Sequence, residues 1–506
     1  MNKWKLTPIA MGLLAGSAVS VQAAEFYSNS PGTQAIEDSY IVVYKVPQGI
    51  ASADNEVKAQ FTTQLTNTLT TEIGIEVTRQ YSSSISGVAV NADAKQLLKL
   101  LSHPDVDFVE QNAIVTVAPI KSKSGYSALQ NNPVWGLDRI DQRDLPLNNK
   151  FEAPNKGTGV TAYVIDTGIQ NSHNEFGGRS VNGYDFVDND GNSADCNGHG
   201  THVAGTIGGA TYGVAKNVKL VGVRVLNCSG SGTYAGVIAG IDWVANNANG
   251  PSVANMSLGG GKSQAVNNAV TSAVNKGISF VVAAGNENSD ACTRSPASTP
   301  AAVTVASSTS SDARSGFSNW GKCIDVFGPG SSIKSAWIGA DSATRTISGT
   351  SMAAPHVAGV AALFLEKNPT SSPTQVTAAL SSGASENKIS DVKGSPNKLV
   401  YVEAGGDDGG FEKVISGGKN ETKAFTYEVP AGATSLKVTL SGGSGDADLY
   451  IKHGAEPWAF DSDCASENPD TSNESCVINN PKAGTWYISA YGYAAFNNVT
   501  LKANHQ

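Results

Sequence analysis

The sequence predicts an α/β protein: a mainly parallel sheet with helices on both faces, preceded by a small α+β unit and followed by a small β-sandwich. Three observations carry that prediction. Between residues 128 and 403, short apolar β-branched runs alternate with stretches of helical spacing, the pattern of a parallel sheet covered on both faces. Residues 38–117 read strand, helix, strand. After residue 410 the chain turns β-like, with runs separated by Gly and Asn turns, as in a sandwich. A length of 506 residues agrees with this count, since one domain per ~150 residues suggests about three.

The elements follow in order. Lys3 and Lys5 precede an apolar stretch from Ile9 to Val19 and a small-residue exit, Val21-Gln22-Ala23. A positive start, a short apolar run and an A-x-A-like end make a secretory signal peptide, residues 1–23. The run is shorter than the ~20 apolar residues that span a bilayer, and no later segment qualifies, so no membrane anchor is expected. Ser39–Lys45 has strand composition, Ala94–Leu101 helical spacing, and Val106–Val117 strand composition again. Lys121-Ser-Lys-Ser-Gly125 is a polar, breaker-rich linker open to proteolysis, and a cut is expected between Gly125 and Ala128. That makes 24–127 one unit.

In the middle unit, 128–403, strands are expected at Val160–Ile165, Leu220–Leu226, Val253–Met256, Ile278–Ala283 and Val303–Ala306, with helices near Thr233–Asn247 and Ser263–Lys276. In such sheets ligands sit beyond the carboxyl ends of the strands. Ala404–Gly410 is a flexible linker. Within 411–506, strands are expected at Leu436–Leu440, Ala447–Ile451 and Thr485–Tyr491, with the aromatics Trp458, Trp486, Tyr491 and Tyr493 in their core.

Composition narrows the function. Hydrophobic residues are 40% and charged residues 16%, below the ~25% charged of an average soluble protein. The net charge is −9, yet 128–403 holds 19 basic and 20 acidic groups and is almost neutral. No Lys/Arg run appears, which excludes nucleic acid as the main partner. The six cysteines fall as sequence neighbours: Cys196 and Cys228, Cys292 and Cys323, Cys464 and Cys476. In an exported chain an even number suggests disulfides; six allow 15 pairings, of which spacing suggests the nearest-neighbour one. No C-x-x-C and no His beside a Cys suggests a metal instead.

Three segments carry chemistry. Tyr163-Val-Ile-Asp166-Thr-Gly168 ends an apolar strand with an acid. Asn197-Gly-His199-Gly-Thr-His202 sets a His at a helix start. Ser348-Gly-Thr-Ser351-Met-Ala-Ala-Pro355-His356 sets a Ser among small residues at another. A serine hydroxyl needs an adjacent base, imidazole serves near neutral pH, and a carboxylate fixes its tautomer and stabilises the imidazolium. His173, His202 and His356 read as packing or surface groups. The pair His199/His202 lacks the H-E-x-x-H of a zinc peptidase.

The three segments, in the order Asp, His, Ser, resemble those of subtilisin-like serine peptidases, the subtilases, and are closest in wording to the proteinase K-like branch. The resemblance runs through about 128–403, including Asn131-Asn-Pro-Val-Trp-Gly-Leu-Asp-Arg-Ile140. It implies a subtilisin-like fold and a triad of Asp166, His199 and Ser351, with the Asn286 side-chain amide and the Ser351 N–H as oxyanion donors. It implies that Ser257, Leu258, Gly259, Ala283, Ala284 and Gly285 line the pocket for the side chain preceding the scissile bond. Ser229, Gly230, Ser231 and Gly232 would offer an edge to the substrate backbone.

Residues 38–117 resemble the subtilase propeptide, chaperone and inhibitor of its own peptidase, and the tail resembles the prepeptidase C-terminal domain. For structural calcium the resemblance implies Asp185 and Asp190 at one site, and Asp325 with the carbonyls of Pro300 and Ala302 at another. Asp138, Asp141 and Gln142 match a third, whose further positions read Asn148 and Lys150, and lysine is no ligand. No catalytic cofactor is implied. The expectation is a secreted, monomeric serine endopeptidase of broad specificity, preferring apolar or aromatic residues in peptide and protein substrates. Two alternatives compete. An esterase on the same triad lacks the strict G-x-S-x-G, because Ala353 holds the last place. An inactive binding protein predicts a damaged triad, and every matched position is intact.

Overall fold

The structure is a computed structural model that describes residues 23–30, 33–117, 121–122, 133–402, 411–429 and 432–505. Residues 1–22 of the expected signal peptide, the expected cut at 125–128 and the 404–410 linker lie outside the described residues. The chain forms two compact units, residues 1–149 with 156–401, and residues 150–155 with 402–506.

Within the first unit, the Ala35–Tyr44 strand pairs antiparallel with Val106–Thr116 on one side and Gly87–Asn91 on the other, and Glu76–Tyr81 closes the sheet. Its run Tyr40-Ile-Val-Val-Tyr44 is apolar throughout because both faces are covered. Tyr40, Val42 and Tyr44 meet Leu65, Leu69 and Leu100 of two helices, Asn55–Ile73 and Ala94–Ser102. Ile41 and Val43 join the core of the 128–403 part with Tyr234, Val237 and Ile238, as the two-residue period of a strand requires. Each such fully buried side chain contributes about 1.5–3 kcal/mol, so this sheet is built to lie on its neighbour. Two carboxylates lock the contact. Glu110, buried, accepts from the N–H of Ala265 in the first turn of the Gln264–Asn275 helix at 2.9 Å. Asp242 accepts from the N–H groups of Ser83 and Ser84 at 2.8 and 2.6 Å.

The Asn55–Ile73 helix and the strand pair after it were not anticipated. The helix is stopped at Gly74, in the left-handed region at φ 79°, and capped by Asp54, whose side chain accepts from Val57 N. Its buried face includes Thr62 and Thr66 beside Leu65, Leu69 and Ile73. Those hydroxyls bond carbonyls four residues back, so a buried face reads as polar in sequence.

Among the described residues, the large sheet of the same unit has nine strands. From Val326–Pro329 it runs through Val303–Ser308, Ser279–Ala283, Ser252–Met256, Thr161–Asp166 and Lys219–Arg224 to the edge strand Ser180–Asp185, all parallel. The five strands expected here form within two residues of their expected bounds. Tyr163, Ile165, Val223, Met256 and Val282 pack on helices Tyr234–Asn247 and Gln264–Asn275. Helices His199–Gly208 and Thr350–Lys367 lie against the same strands, so the sheet is covered as the alternation predicts. Cys196 bonds Cys228 and Cys292 bonds Cys323.

The second unit holds two four-stranded antiparallel sheets. Between them lie Leu436, Val438, Leu449, Ile451, Trp486 and Ile488, and Cys464 bonds Cys476. Of the tail aromatics, Trp486 is core, whereas Trp458 is 74% and Tyr493 65% exposed. Both lie in loops beyond strand ends, where the period of the sheet no longer turns a side chain inward. Among the described residues no helix is long and apolar enough to cross a membrane.

Candidate active site

Asp166 is the last residue of its strand, so its carboxylate emerges at the carboxyl end of the sheet. It is buried, and its Oδ1 accepts from the Thr167 N–H at 2.8 Å and faces His199 Nδ1 at 2.7 Å. His199 opens the His199–Gly208 helix. Gly200 follows because an added Cβ would lie 2.1 Å from the Gly168 carbonyl oxygen, and this close approach sets the His199 helix against the Asp166 strand. With Nδ1 committed to Asp166, His199 Nε2 is the buried atom left without a hydrogen-bond partner. That is the atom a general base needs free.

Ser351 lies in the first turn of the Thr350–Lys367 helix, where backbone N–H groups have no intrahelical acceptor. Its hydroxyl donates to the Ser257 carbonyl at 3.0 Å, and the Ser257 hydroxyl donates to the Ser351 carbonyl at 2.9 Å. Pro355 explains the second bond. It stands inside the helix and has no N–H for the carbonyl four residues before it, so Ser257 takes that place. Asn286 Oδ1 accepts from the Thr350 N–H and hydroxyl at 2.9 and 2.8 Å. This turns its amide nitrogen toward Gly349, whose ideal Cβ would lie 3.1 Å from it.

The cleft beside these groups holds a piece of the chain itself. Ile114–Thr116 pairs antiparallel with Ser231–Thr233. Thr116 pairs on its other side with Gly259, and the Val117 N–H donates to the Gly230 carbonyl at 2.9 Å. Gly230 has φ 73°, and a Cβ there would come 2.6 Å from Val117. Further on, Lys121–Ser122 pairs antiparallel with Ile347–Ser348, just before Ser351.

A small recess of about 40 Å³ opens beside Ser351, lined by Leu258, Gly259, Ala283, Ala284 and Gly285, while the Ser257 hydroxyl is turned to the Ser351 carbonyl instead. Glu287 and Arg294 line it too, and they were missed. The Asn319 amide donates to Glu287 Oε2 at 2.7 Å, and Arg294 Nε lies 3.6 Å from the same oxygen. Their sequence gave no sign, since one reaches the pocket from a loop before Cys292 and the other from the short Arg294–Ser295 strand paired with Gly260–Gly261. His202 and His356 are packing groups, as expected. Burial, and then the nearness of His199, holds His202 down to about 3, and its Nε2 bridges the Ile333 and Arg345 carbonyls.

No group of three or more His, Cys, Asp or Glu side chains forms a metal-holding cluster among the described residues. Asp325 is nevertheless suited to a hard cation. Burial pushes its carboxyl up to about 6, it accepts from the Thr304 N–H at 2.7 Å, and no described basic side chain pairs with it. Asp185 and Asp190 meet across a tight backbone pairing. There Arg224 already donates to Asp185 and Asp188 at 2.5 and 2.7 Å, which leaves less charge for a cation. Both oxygens of Asp138 accept backbone N–H groups, from Asn148 and Asn149, and Gln142 Oε1 accepts from Asn148 as well.

Comparison with known proteins places these features in families. Residues 157–398 match the model of the Subtilase family, residues 39–118 that of Peptidase inhibitor I9, and residues 421–492 that of the Bacterial pre-peptidase C-terminal domain. Alkaline serine exoprotease A of Vibrio alginolyticus is 52% identical over 495 residues, covering 94% of this chain and 91% of that protein. Extracellular serine proteinase of Thermus sp. strain Rt41A is 48% identical, covering 73% and 90%. The crystal structure of a cold adapted subtilisin-like serine proteinase superposes with a TM-score of 0.53 at 67% identity, covering 54% of this chain and 99% of that one.

Proposed function

The chain belongs to the subtilase family of serine proteases, and from that premise we propose that it is a secreted serine endopeptidase made as a self-processing proenzyme. The observation that carries the reading is the strand Ile114–Val117, laid between Ser231–Thr233 and Gly259 at the mouth of the pocket beside Ser351. It lies as a substrate would, by strand addition. This supports the I9 segment as inhibitor. Backbone pairing continues past the serine, at Lys121–Ser122. A cleft that holds chain on both sides of the nucleophile favours internal bonds over chain ends.

The steps follow from the geometry. The Ser351 hydroxyl turns from the Ser257 carbonyl, gives its proton to His199 Nε2 and attacks the substrate carbonyl carbon. Asp166, held on Nδ1, steadies the imidazolium. The oxyanion meets the Asn286 amide and the Ser351 N–H, donors worth about 2.7–4 kcal/mol each in such sites. The C–N bond then breaks, His199 protonates the leaving amine, and water repeats the sequence on the acyl-enzyme. The Ala and Gly walls suit apolar and aromatic side chains. Calcium is proposed as structural, held by Asp325 with the carbonyls of Pro300 and Ala302, where it would neutralise a buried carboxylate. An ion at Asp185 and Asp190 would compete with Arg224. The domain limits proposed are 1–23, 24–127, 128–403, 404–410 and 411–506.

The test is casein digestion by the purified mature form. Internal fragments and loss of Ser351→Ala activity are expected. Release of single terminal residues would favour the exoprotease reading carried by the name of the Vibrio relative.

A further inference from the structure

Five donors converge on one carboxylate that the triad does not include. Asp195 Oδ1 accepts from the Thr167 hydroxyl and from the N–H groups of Asn197 and Gly198, each at 2.9 Å. Its Oδ2 accepts from the Thr201 N–H at 3.0 Å and the Thr201 hydroxyl at 2.6 Å. Asn197, Gly198 and Thr201 surround His199 in sequence, so Asp195 holds the first turn of the His199 helix from outside. Thr167 carries the link across. Its hydroxyl donates to Asp195 and accepts from the Gly200 N–H at 2.9 Å, while its own N–H holds the Asp166 oxygen that faces His199. Thr167 and Thr201 are fully buried. On its other side Asp195 precedes Cys196, bonded to Cys228, and the Asn197 amide donates to the Cys228 carbonyl at 2.9 Å. The substrate edge begins at the next residue, Ser229.

We propose that Asp195 is a positioning residue for the reaction, which through Thr167 and the first turn of the His199 helix fixes the imidazole against Asp166. The proposal rests on the peptidase reading above. Asp195 touches neither substrate nor the reacting atoms; its carboxylate bonds Thr167, Asn197, Gly198 and Thr201, not the His199 ring. Its effect is on the angle and distance at which Nε2 meets the serine. A displacement of about 1 Å in such a constellation costs about 10²-fold in rate.

A simple helix cap makes a different prediction. Thr167→Val leaves Asp195 bonded to Asn197, Gly198 and Thr201 and cuts both bonds of the Thr167 hydroxyl, the one to Asp195 and the one from the Gly200 N–H, so the comparison with the double variant separates the Asp195 link from the Gly200 one. The experiment compares Asp195→Ala, Asp195→Asn, Thr167→Val and the double variant Asp195→Ala/Thr167→Val. The readouts are kcat and KM on active-site-titrated mature enzyme, the rate of fluorophosphonate labelling, and the low-field proton resonance of the His199–Asp166 hydrogen bond. The proposal expects kcat and labelling to fall about 10- to 100-fold in Asp195→Ala and Thr167→Val, with KM within about threefold. It expects the resonance to shift or broaden in both, partial recovery in Asp195→Asn, which keeps one acceptor oxygen, and a double variant no worse than Asp195→Ala. Wild-type kcat in Thr167→Val, or a loss confined to KM, overturns it. Should Asp195→Ala not fold, Asp195→Asn and the double variant Asp195→Asn/Thr167→Val take its place: wild-type kcat in Asp195→Asn, or losses that add in the double variant, overturn the proposal. A wild-type enzyme that is not labelled at all refutes the peptidase reading instead, so the two failures are distinct.

Discussion

Asp242 offers a direct measure of how the inhibitor segment is held. The residue lies on the Tyr234–Asn247 helix of the peptidase part and accepts from Ser83 N, Ser84 N and Ser84 Oγ at 2.8, 2.6 and 2.8 Å, with Ser82 N at 3.5 Å. Hydrogen bonds to a charged acceptor contribute about 1.5–3 kcal/mol each. The site is only partly buried, so water can replace some of them, and about 1–1.5 kcal/mol for each of the three short bonds is a fair value. Asp242→Ala should then weaken propeptide binding by about 3–4.5 kcal/mol, a 10²- to 10³-fold rise in Ki. The assay titrates mature wild-type and variant enzymes with the same separately produced 24–127 segment, so the cost of folding that segment cancels in the ratio. Hydrolysis of a short peptide substrate should not change, because Asp242 is remote from the triad. A Ki within threefold of wild type would refute the reasoning, since it would mean that the Ser82–Ser84 turn contributes nothing to docking.

Two further outcomes follow from buried charge. Burial holds His356 down to about 4 and His202 to about 3, below the ~6.5 of an unfolded chain. Groups depressed in the fold leave stability intact above pH 6.5 and remove it as the pH falls toward 4. His356→Gln, in a Ser351→Ala background, should therefore lose about 2 kcal/mol less than its parent between pH 8 and pH 5 by denaturant titration; equal losses contradict this. For Asp325, chelation should lower the thermal midpoint of Ser351→Ala by several degrees, since a ligand at 100 times its Kd adds about 2.7 kcal/mol. It should leave Ser351→Ala/Asp325→Asn nearly unmoved, and the same shift in both would remove the Asp325 assignment.

Much of the fold is legible in the sequence because its strands are buried on both faces. Thr161–Asp166, Ser252–Met256 and Ser279–Ala283 announce themselves as continuous apolar runs, and the helices after Thr233 and Ser263 by side chains that cap them. The Asn55–Ile73 helix escaped because Thr62 and Thr66 satisfy their hydroxyls internally and so bury a polar face. The proposed triad Asp166, His199 and Ser351, with Asn286, is named from motifs that resemble a family's, each residue lying within two positions of a glycine. Glu287 and Arg294 could not be, because a loop and a two-residue strand pairing, on either side of a disulfide, bring them to the pocket. Asp195 follows closely on Asp185 and Asp190, for which the resemblance implies calcium. Only the positions of Thr167 and Thr201 separate its role from that of Asp185, where Arg224 supplies the balancing charge.

The most direct test of the central claim is labelling of the mature protein with a fluorophosphonate, followed by peptide mapping. Modification confined to Ser351, with parallel loss of casein digestion, is the predicted result. Digestion that persists while Ser351 is fully modified, or no labelling in a protein that digests casein, would contradict the account.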